Sequence, residues 1–562
     1  MKNSPRLRLA AAALALLMAG CASRGGAPVD INLVALNDLH GNLESSKFTY
    51  TSVLDRTPHT IQAGGLDTVA AALQAWRLED KDLLLVGAGD LVGASPALSS
   101  MWADEPSIAA LNLLGMRATS VGNHEFDQGR AELLRQQNGG CASPRPEKAC
   151  KYAPAYDGAR FSYLAANVLD KATGRPFMPA YRIETAHGIK VGFIGAVLKD
   201  TASVVLASGI AGLEFVDEAE AINRVLPELR EQGVGVFVVL IHQGGHSEDL
   251  FDQPDCQHLK GPIVDVVRRL DPAISVVVSG HSHTGYTCRV DGRLVTQADM
   301  GGHVLSRIQL RVDRLSNSVR ETSARNIVMT QGTYPEHAAM SDYLDAVRQR
   351  GAALLAQPVA RLAVATVTRK RSAAGESALG DLVADTALAA GRAAGAQIAF
   401  MNNGGIRQDL EAGADLVSTT GQALMVLPFA NSLLVMSLSG AQIRALLEQQ
   451  WVADKAEARG LLQVSDGFNY RWDASQPQGR RVLPTSVRLH GAPLDDARLY
   501  RVVVNNFLAE GGDSFPMFAL GTQRVDTHIR DSDALLDYLR QRDRAGAPAG
   551  SAAPAGRIQI VQ

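Results

Sequence analysis

The chain has 562 residues, of which 46% are hydrophobic and 20% charged, a balance that supports packed cores and excludes global disorder. Its 55 Lys and Arg against 58 Asp and Glu leave a formal charge of −3, so there is no overall basic field to hold a polymeric nucleic acid. At roughly 100–200 residues per domain, this length calls for more than one domain.

Lys2, Arg6 and Arg8 precede an apolar run over 9–19 and then Gly20-Cys21, the basic, apolar, small-residue order of an export signal. That run is too short to span a bilayer as a mature helix. Leu17-Met18-Ala19-Gly20-Cys21 resembles the lipobox of bacterial lipoproteins. The resemblance implies removal of 1–20, a lipid anchor on Cys21 and a short tail over 21–30; an ordinary cleaved signal peptide is the other reading. Ala22 after the cysteine implies, within that resemblance, an outer-membrane lipoprotein on the periplasmic side of the cell envelope. Cys141, Cys150, Cys256 and Cys288 then form an even set in an oxidising compartment, which predicts two disulfides. Local closure, Cys141 to Cys150 and Cys256 to Cys288, is preferred among the three pairings. No cysteines have Cys-x-x-Cys spacing, which excludes zinc fingers and iron–sulfur clusters.

Beyond the tail, short apolar β-rich runs recur at 31–36, 83–86, 118–121, 191–196, 236–241 and 274–278, with helical stretches such as 66–76 and 108–114 between them. Continuous apolar runs suit strands buried on both faces, so 31–335 reads as a layered α/β domain. A polar-rich helical stretch over 336–357, ended by Pro358, reads as a connector. A second, smaller α/β pattern fills 358–544, with helices near 379–390 and 440–450 and strands near 397–401, 433–438 and 500–504. The Ala/Pro/Gly-rich segment 545–562 reads as flexible.

The residues just past each run of the first domain are Asp38 and His40, Asp90, Asn123 and His124, His242, then His281 and His283. In open α/β sheets the carboxyl ends of the strands border the crevice where sites form, so these side chains should converge. One such residue alone is ordinarily a cap or a turn residue. Carboxylate, imidazole and amide ligands together suit a hydrolytic site for two divalent cations, with zinc, manganese, cobalt or iron all acceptable. Cations so close need an anionic bridge, and Asp90 is the candidate. Asp38, His40 and His283 would complete one site, and Asn123, His242 and His281 the other.

Asp38-Leu-His40-Gly, Gly89-Asp90, Gly122-Asn-His-Glu-Phe-Asp-Gln-Gly129, Ile241-His242 and Gly280-His-Ser-His283 resemble the motifs of calcineurin-like metallophosphoesterases, and the 5′-nucleotidase branch in particular. The resemblance implies a four-layer α/β metallophosphoesterase domain followed by a smaller α/β substrate-binding domain. It also implies that His124 is paired with Asp127 as a catalytic dyad rather than binding metal. Some relatives carry Gln or Asn where His283 stands, so metal preference does not transfer.

In the second domain, Asn402-Asn-Gly-Gly-Ile-Arg407, Leu427-Pro-Phe429 and Asn506-Phe507-Leu-Ala-Glu-Gly-Gly-Asp513 resemble the 5′-nucleotidase C-terminal domain. By that resemblance Phe429 and Phe507 sandwich a nucleobase, Asp513 takes the ribose hydroxyls and Arg407 a phosphate, with Asn402 beside them. Planar rings, a carboxylate for two vicinal hydroxyls and a guanidinium for phosphate suit those tasks chemically. Arg371, in the basic run Arg369-Lys370-Arg371, is a further phosphate candidate, with a solvated loop as its rival. These features predict hydrolysis of nucleoside 5′-monophosphates; UDP-sugar hydrolysis, 2′,3′-cyclic nucleotide phosphodiesterase with 3′-nucleotidase activity, and non-catalytic nucleotide capture are the alternatives. Base preference and oligomeric state are not encoded legibly.

Overall fold

The computed structural model of the chain describes residues 27–451 and 460–561. The expected leader and the lipid anchor on Cys21 lie outside the described residues. The first strand starts at Val29, inside the segment expected as tail.

Two six-stranded sheets lie face to face in the N-terminal domain. In space, the first runs Ser318–Val328, Val304–Asp313, Val29–Leu36, Leu84–Ala88, Met116–Ser120, Ser162–Leu164; the second runs Tyr286–Val290, Arg293–Gln297, Ile274–Ser279, Val236–His242, Ile189–Val197, Tyr181–Ala186. The runs are continuously apolar because alternate side chains enter different cores. Ile31, Leu33 and Ala35 meet Val236, Val238 and Leu240 between the sheets, whereas Val34 and Leu36 pack outward under the helices Leu66–Glu79 and Glu105–Leu114. On the second sheet, Ile194, Ala196, Val239 and Ile241 pack outward beneath Glu218–Glu231 and Pro262–Arg268. The result is four layers, helix, sheet, sheet, helix.

Both predicted local disulfides form, Cys141 to Cys150 with Cα atoms 5.5 Å apart, and Cys256 to Cys288. The connector is the helix Ala338–Leu355, whose Met340, Leu344 and Val347 are buried in the first domain's helical core. The second domain holds a five-stranded sheet ordered Gln463–Val464, Ile398–Met401, Leu499–Asn505, Ser432–Ser439, Thr522–Arg530. Among the described residues no helix is long and apolar enough to cross a membrane.

Over its described residues, 545–561, the segment expected to be a flexible tail is tied down, because Ile558–Val561 forms a strand parallel to Phe468–Asp473. Glu376, 1% exposed, accepts the Arg557 and Ile558 backbone N–H groups at 2.9 and 3.1 Å, and the Arg557 guanidinium pairs with Asp385 at 2.7 and 2.8 Å. The composition of 545–556 masks a four-residue strand behind it. Ile558 is 2% exposed in the same core as Trp451 and Trp472. Ile558→Ala should therefore cost about 2–5 kcal/mol in urea unfolding followed by tryptophan fluorescence, whereas a flexible tail would leave the transition where it was.

Candidate functional site

The two sheets bring the carboxyl ends of their parallel strands to one rim, and five of those strands, Val29–Leu36, Leu84–Ala88, Met116–Ser120, Val236–His242 and Ile274–Ser279, end at or lead into the ligands. The loops after Val29–Leu36 and Leu84–Ala88 continue the pairing of their strands: Asp38 N–H donates to Gly89 O at 3.1 Å, His40 N–H to Asp90 O at 2.9 Å, and Gly41 N–H to Leu91 O at 2.8 Å. Asp38, His40, Asp90, His281 and His283 all have left-handed φ, between 47° and 77°. Such backbone costs on the order of 1–3 kcal/mol per residue and persists only where the surroundings dictate it.

Glu125 is one source of that dictation. Its buried carboxylate accepts N–H bonds from Gly122 at 2.6 Å, Leu91 at 2.8 Å, Asp90 at 2.9 Å and Val92 at 3.3 Å, so one side chain ties two ligand loops together. Burial, then the nearby Asp90 charge, pushes its pKa up. A methyl group on Gly122 would overlap the Asp90 carboxylate, which explains the glycine before Asn123.

Every predicted metal ligand reaches one cluster. His283 Nε2 lies 3.1 Å from His40 Nε2 and 3.3 Å from Asp38 Oδ1. On the other side His242 Nε2 lies 2.9 Å from Asp90 Oδ2 and 3.1 Å from Asn123 Oδ1, which is also 3.0 Å from His281 Nδ1. His40 Nε2 is 3.9 Å from Asp90 Oδ2, so Asp90 stands between the two groups. The donor set fits divalent cations: His40 and His242 each give Nδ1 to a backbone carbonyl, Gly93 and Ala88, both at 2.8 Å, which leaves the Nε2 lone pairs for metal. Asp38 is steadied by Asn37 Nδ2 at 2.7 Å and by the His281 N–H at 2.9 Å.

His124 stands beside the cluster, Nε2 4.0 Å from Asp90 Oδ2, with Nδ1 2.8 Å from Asp127 Oδ2. Burial opposes its protonated form, but the Asp127 and Asp90 carboxylates outweigh this and raise its pKa. Its ring also stacks on Phe429 from the other domain, centroids 5.6 Å apart at 19°. Part of the Phe429 surface expected to meet a base is thereby covered, and Arg407 lies 5.9 Å from the same ring.

A cavity of about 170 Å³ opens between the domains, bounded by His124, Asp127, Asn402, Arg407, Phe429, Phe507 and Asp513. Asn402 donates to Asp513 Oδ2 at 2.7 Å and accepts from Asn505 Nδ2 at 3.1 Å, which fixes the carboxylate at the cavity wall. Arg371 is not on this wall. It is exposed and borders an adjoining cavity of about 400 Å³ that shares Asn402, Gly404 and Asp513. Sequence reasoning did not single out Glu125, although it sits inside the 122–129 motif, nor the loop Val204, Val205 and Leu206, which closes the cavity from the first domain and carries no motif signal.

Residues 31–285 match the calcineurin-like phosphoesterase family, and residues 358–520 match the 5′-nucleotidase C-terminal domain. The chain is 31% identical to Endonuclease YhcR of Bacillus subtilis over 97% of its own length, but spans only 42% of that relative. It is 25% identical to a 5′-nucleotidase of Vibrio cholerae, covering 97% of both. The crystal structure of a 5′-nucleotidase precursor from Thermus thermophilus superposes with a TM-score of 0.74 at 29% identity, over 95% of this chain and 100% of that one.

The role assigned to Glu125 has a direct test. Glu125→Ala leaves four backbone donors without their acceptor and should weaken metal binding about 10–100-fold, the usual range for a supporting partner. Metal titration with elemental analysis reads this, and unchanged affinity would remove Glu125 from the assembly of the centre.

Proposed function

The chain belongs to the 5′-nucleotidase family of metal-dependent phosphoester hydrolases, and we propose that it hydrolyses nucleoside 5′-monophosphates to nucleoside and phosphate on the periplasmic side of the cell envelope. The observation that carries this reading is one cavity that places a histidine–carboxylate pair and a metal-ligand cluster against Phe429, Phe507, Arg407 and Asp513. A phosphatase without base recognition has no use for that second wall.

Asp38, His40, Asp90 and His283 would hold one divalent cation, and Asp90, Asn123, His242 and His281 a second. Such ions supply charge for the phosphoryl oxygens and a lower pKa for the attacking water. The chain's own groups do the rest. Arg407 reaches the phosphate side of the cavity, where burial and then the nearby Arg369 lower its pKa, against the opposing pull of Asp90, Asp127 and Asp38. The phenyl faces take the base, and Asp513, held by Asn402, accepts the ribose hydroxyls. The departing 5′-alkoxide is strongly basic, and His124, held through Nδ1 by Asp127, presents Nε2 to deliver a proton as the P–O bond breaks.

The small size of the cavity and the absence of net positive charge favour a single nucleotide over a polymer, although one relative is named an endonuclease. The export signal with its lipobox supports anchoring at Cys21.

Phosphate release from AMP, UMP, 3′-AMP, 2′,3′-cyclic AMP and UDP-glucose, with and without chelator, tests the substrate. The expected result is chelator-sensitive preference for the 5′-monophosphates; preference for the cyclic or diphosphate compound would overturn it. His124→Ala should lower kcat about 10²–10⁴-fold, the range for a lost general acid, with metal content unchanged. Asp513→Ala should raise KM for AMP while leaving p-nitrophenyl phosphate hydrolysis near the parent value.

A further inference from the structure

A much smaller space of about 20 Å³ adjoins the nucleotide cavity and shares His124, Asp127, Gln128 and Phe429 with it. Asp127, Asp104, Gln136 and Arg145 border it, with Phe429 closing one side. Its size suits one water molecule. Its walls are polar, and two of their buried atoms, Arg145 Nε and Gln136 Oε1, meet no hydrogen-bond partner among the described residues. One is a donor and the other an acceptor. Asp127, whose Oδ2 is engaged by His124, offers a carboxylate to the same space.

Arg145 is held there by its surroundings. It lies inside the loop that the Cys141–Cys150 disulfide closes, and its guanidinium donates to Glu132 Oε1 at 3.0 Å, with Asp104 Oδ2 at 3.7 Å. Glu132 also pairs with Arg135 at 2.8 Å, and Arg135 with Glu105 at 2.8 Å. The Cys150 N–H donates to Glu105 Oε1 at 2.8 Å. The disulfide loop is therefore fastened at several points to a buried ion network, and Arg145 keeps a buried Nε–H without a partner among the described residues while its side chain borders the small space.

We propose that Arg145 and Gln136 hold one ordered water against Asp127, and that they act through it as positioning residues for His124. The water accepts from Arg145 Nε, donates to Gln136 Oε1 and donates its other proton to the Asp127 carboxylate. Three partners is the ordinary complement of a buried water. Such a contact fixes the carboxylate's rotation, and the carboxylate in turn fixes the imidazole that protonates the leaving group. The disulfide loop thereby contributes to catalysis from outside the substrate cavity. This inference rests on the role given to His124 under the proposed function.

The test uses the metal-loaded full chain and two substrates, AMP and p-nitrophenyl phosphate, because p-nitrophenolate departs without needing a proton. Gln136→Leu keeps volume and helix propensity while removing the acceptor; Arg145→Met removes the donor. Each should lower kcat for AMP about tenfold, the lower end of the range for supporting partners, with KM for AMP and turnover of p-nitrophenyl phosphate within about twofold of the parent. If both substrates lose rate together, the residues are merely structural and the proposal falls; it falls equally if Gln136→Leu keeps full AMP turnover. Gln136→Leu serves where Arg145→Met fails to fold. His124→Ala, assayed alongside, separates the premises: full AMP turnover in that variant overturns the role of His124 itself. A high-resolution crystal structure with no water in this space would overturn the proposal whatever the substrate.

Discussion

Asp38 and Asp90 are carboxylates at 0% and 1% exposure whose close partners among the described residues are imidazoles, amides and backbone N–H groups rather than lysine or arginine. Two such charges repel, and burial penalises each of them. The neighbouring histidines offset part of this, divalent cations would offset more, and much of the first domain is arranged so that such cations would find their ligands already in place. The left-handed loops, the carboxylate of Glu125 and the backbone carbonyls that orient His40 and His242 all stabilise a geometry that would otherwise be costly.

The strands that carry ligands are readable from sequence because most are apolar runs, and the ligands because they follow those runs directly, whereas polar or alternating strands such as Ser318–Val328 and Thr522–Arg530 give no such signal. What the runs do not reveal is that alternate residues of one strand serve two different cores, since Ile31 and Val34 are equally apolar. Sheet order is set by pairing between segments far apart in the chain, such as Val29–Leu36 with Val304–Asp313, and no local pattern encodes that. Glu125 is hidden for another reason. A carboxylate that spends itself on backbone donors looks in sequence like any solvated acid. The strand Ile558–Val561 is lost behind an Ala/Pro/Gly segment whose composition dominates a short window.

The boundary between the domains is chemical as well as geometric. Phe429 of the second domain lies on His124 of the first, and Glu510, three residues from Asp513, accepts from the N–H and hydroxyl of Ser208 at 3.2 Å each. Arg530 reaches Glu147, within the disulfide loop, at 2.6 Å. Residues that would recognise a base and residues that would protonate its leaving group thus touch each other directly. With one face of Phe429 covered by the His124 imidazole, a base is left the other face, so the ring that would hold the base also braces the histidine that would deliver the proton.

The placement of the first and last described strands has a consequence for biogenesis. Val29–Leu36 lies in the interior of its sheet, yet its antiparallel neighbour Val304–Asp313 is made long afterwards, and Phe468–Asp473 waits in the same way for Ile558–Val561. Neither domain can complete its hydrogen-bonded ladder while its distal strand is still being synthesised. Translation order therefore delays closure of each sheet until its distal strand has been made.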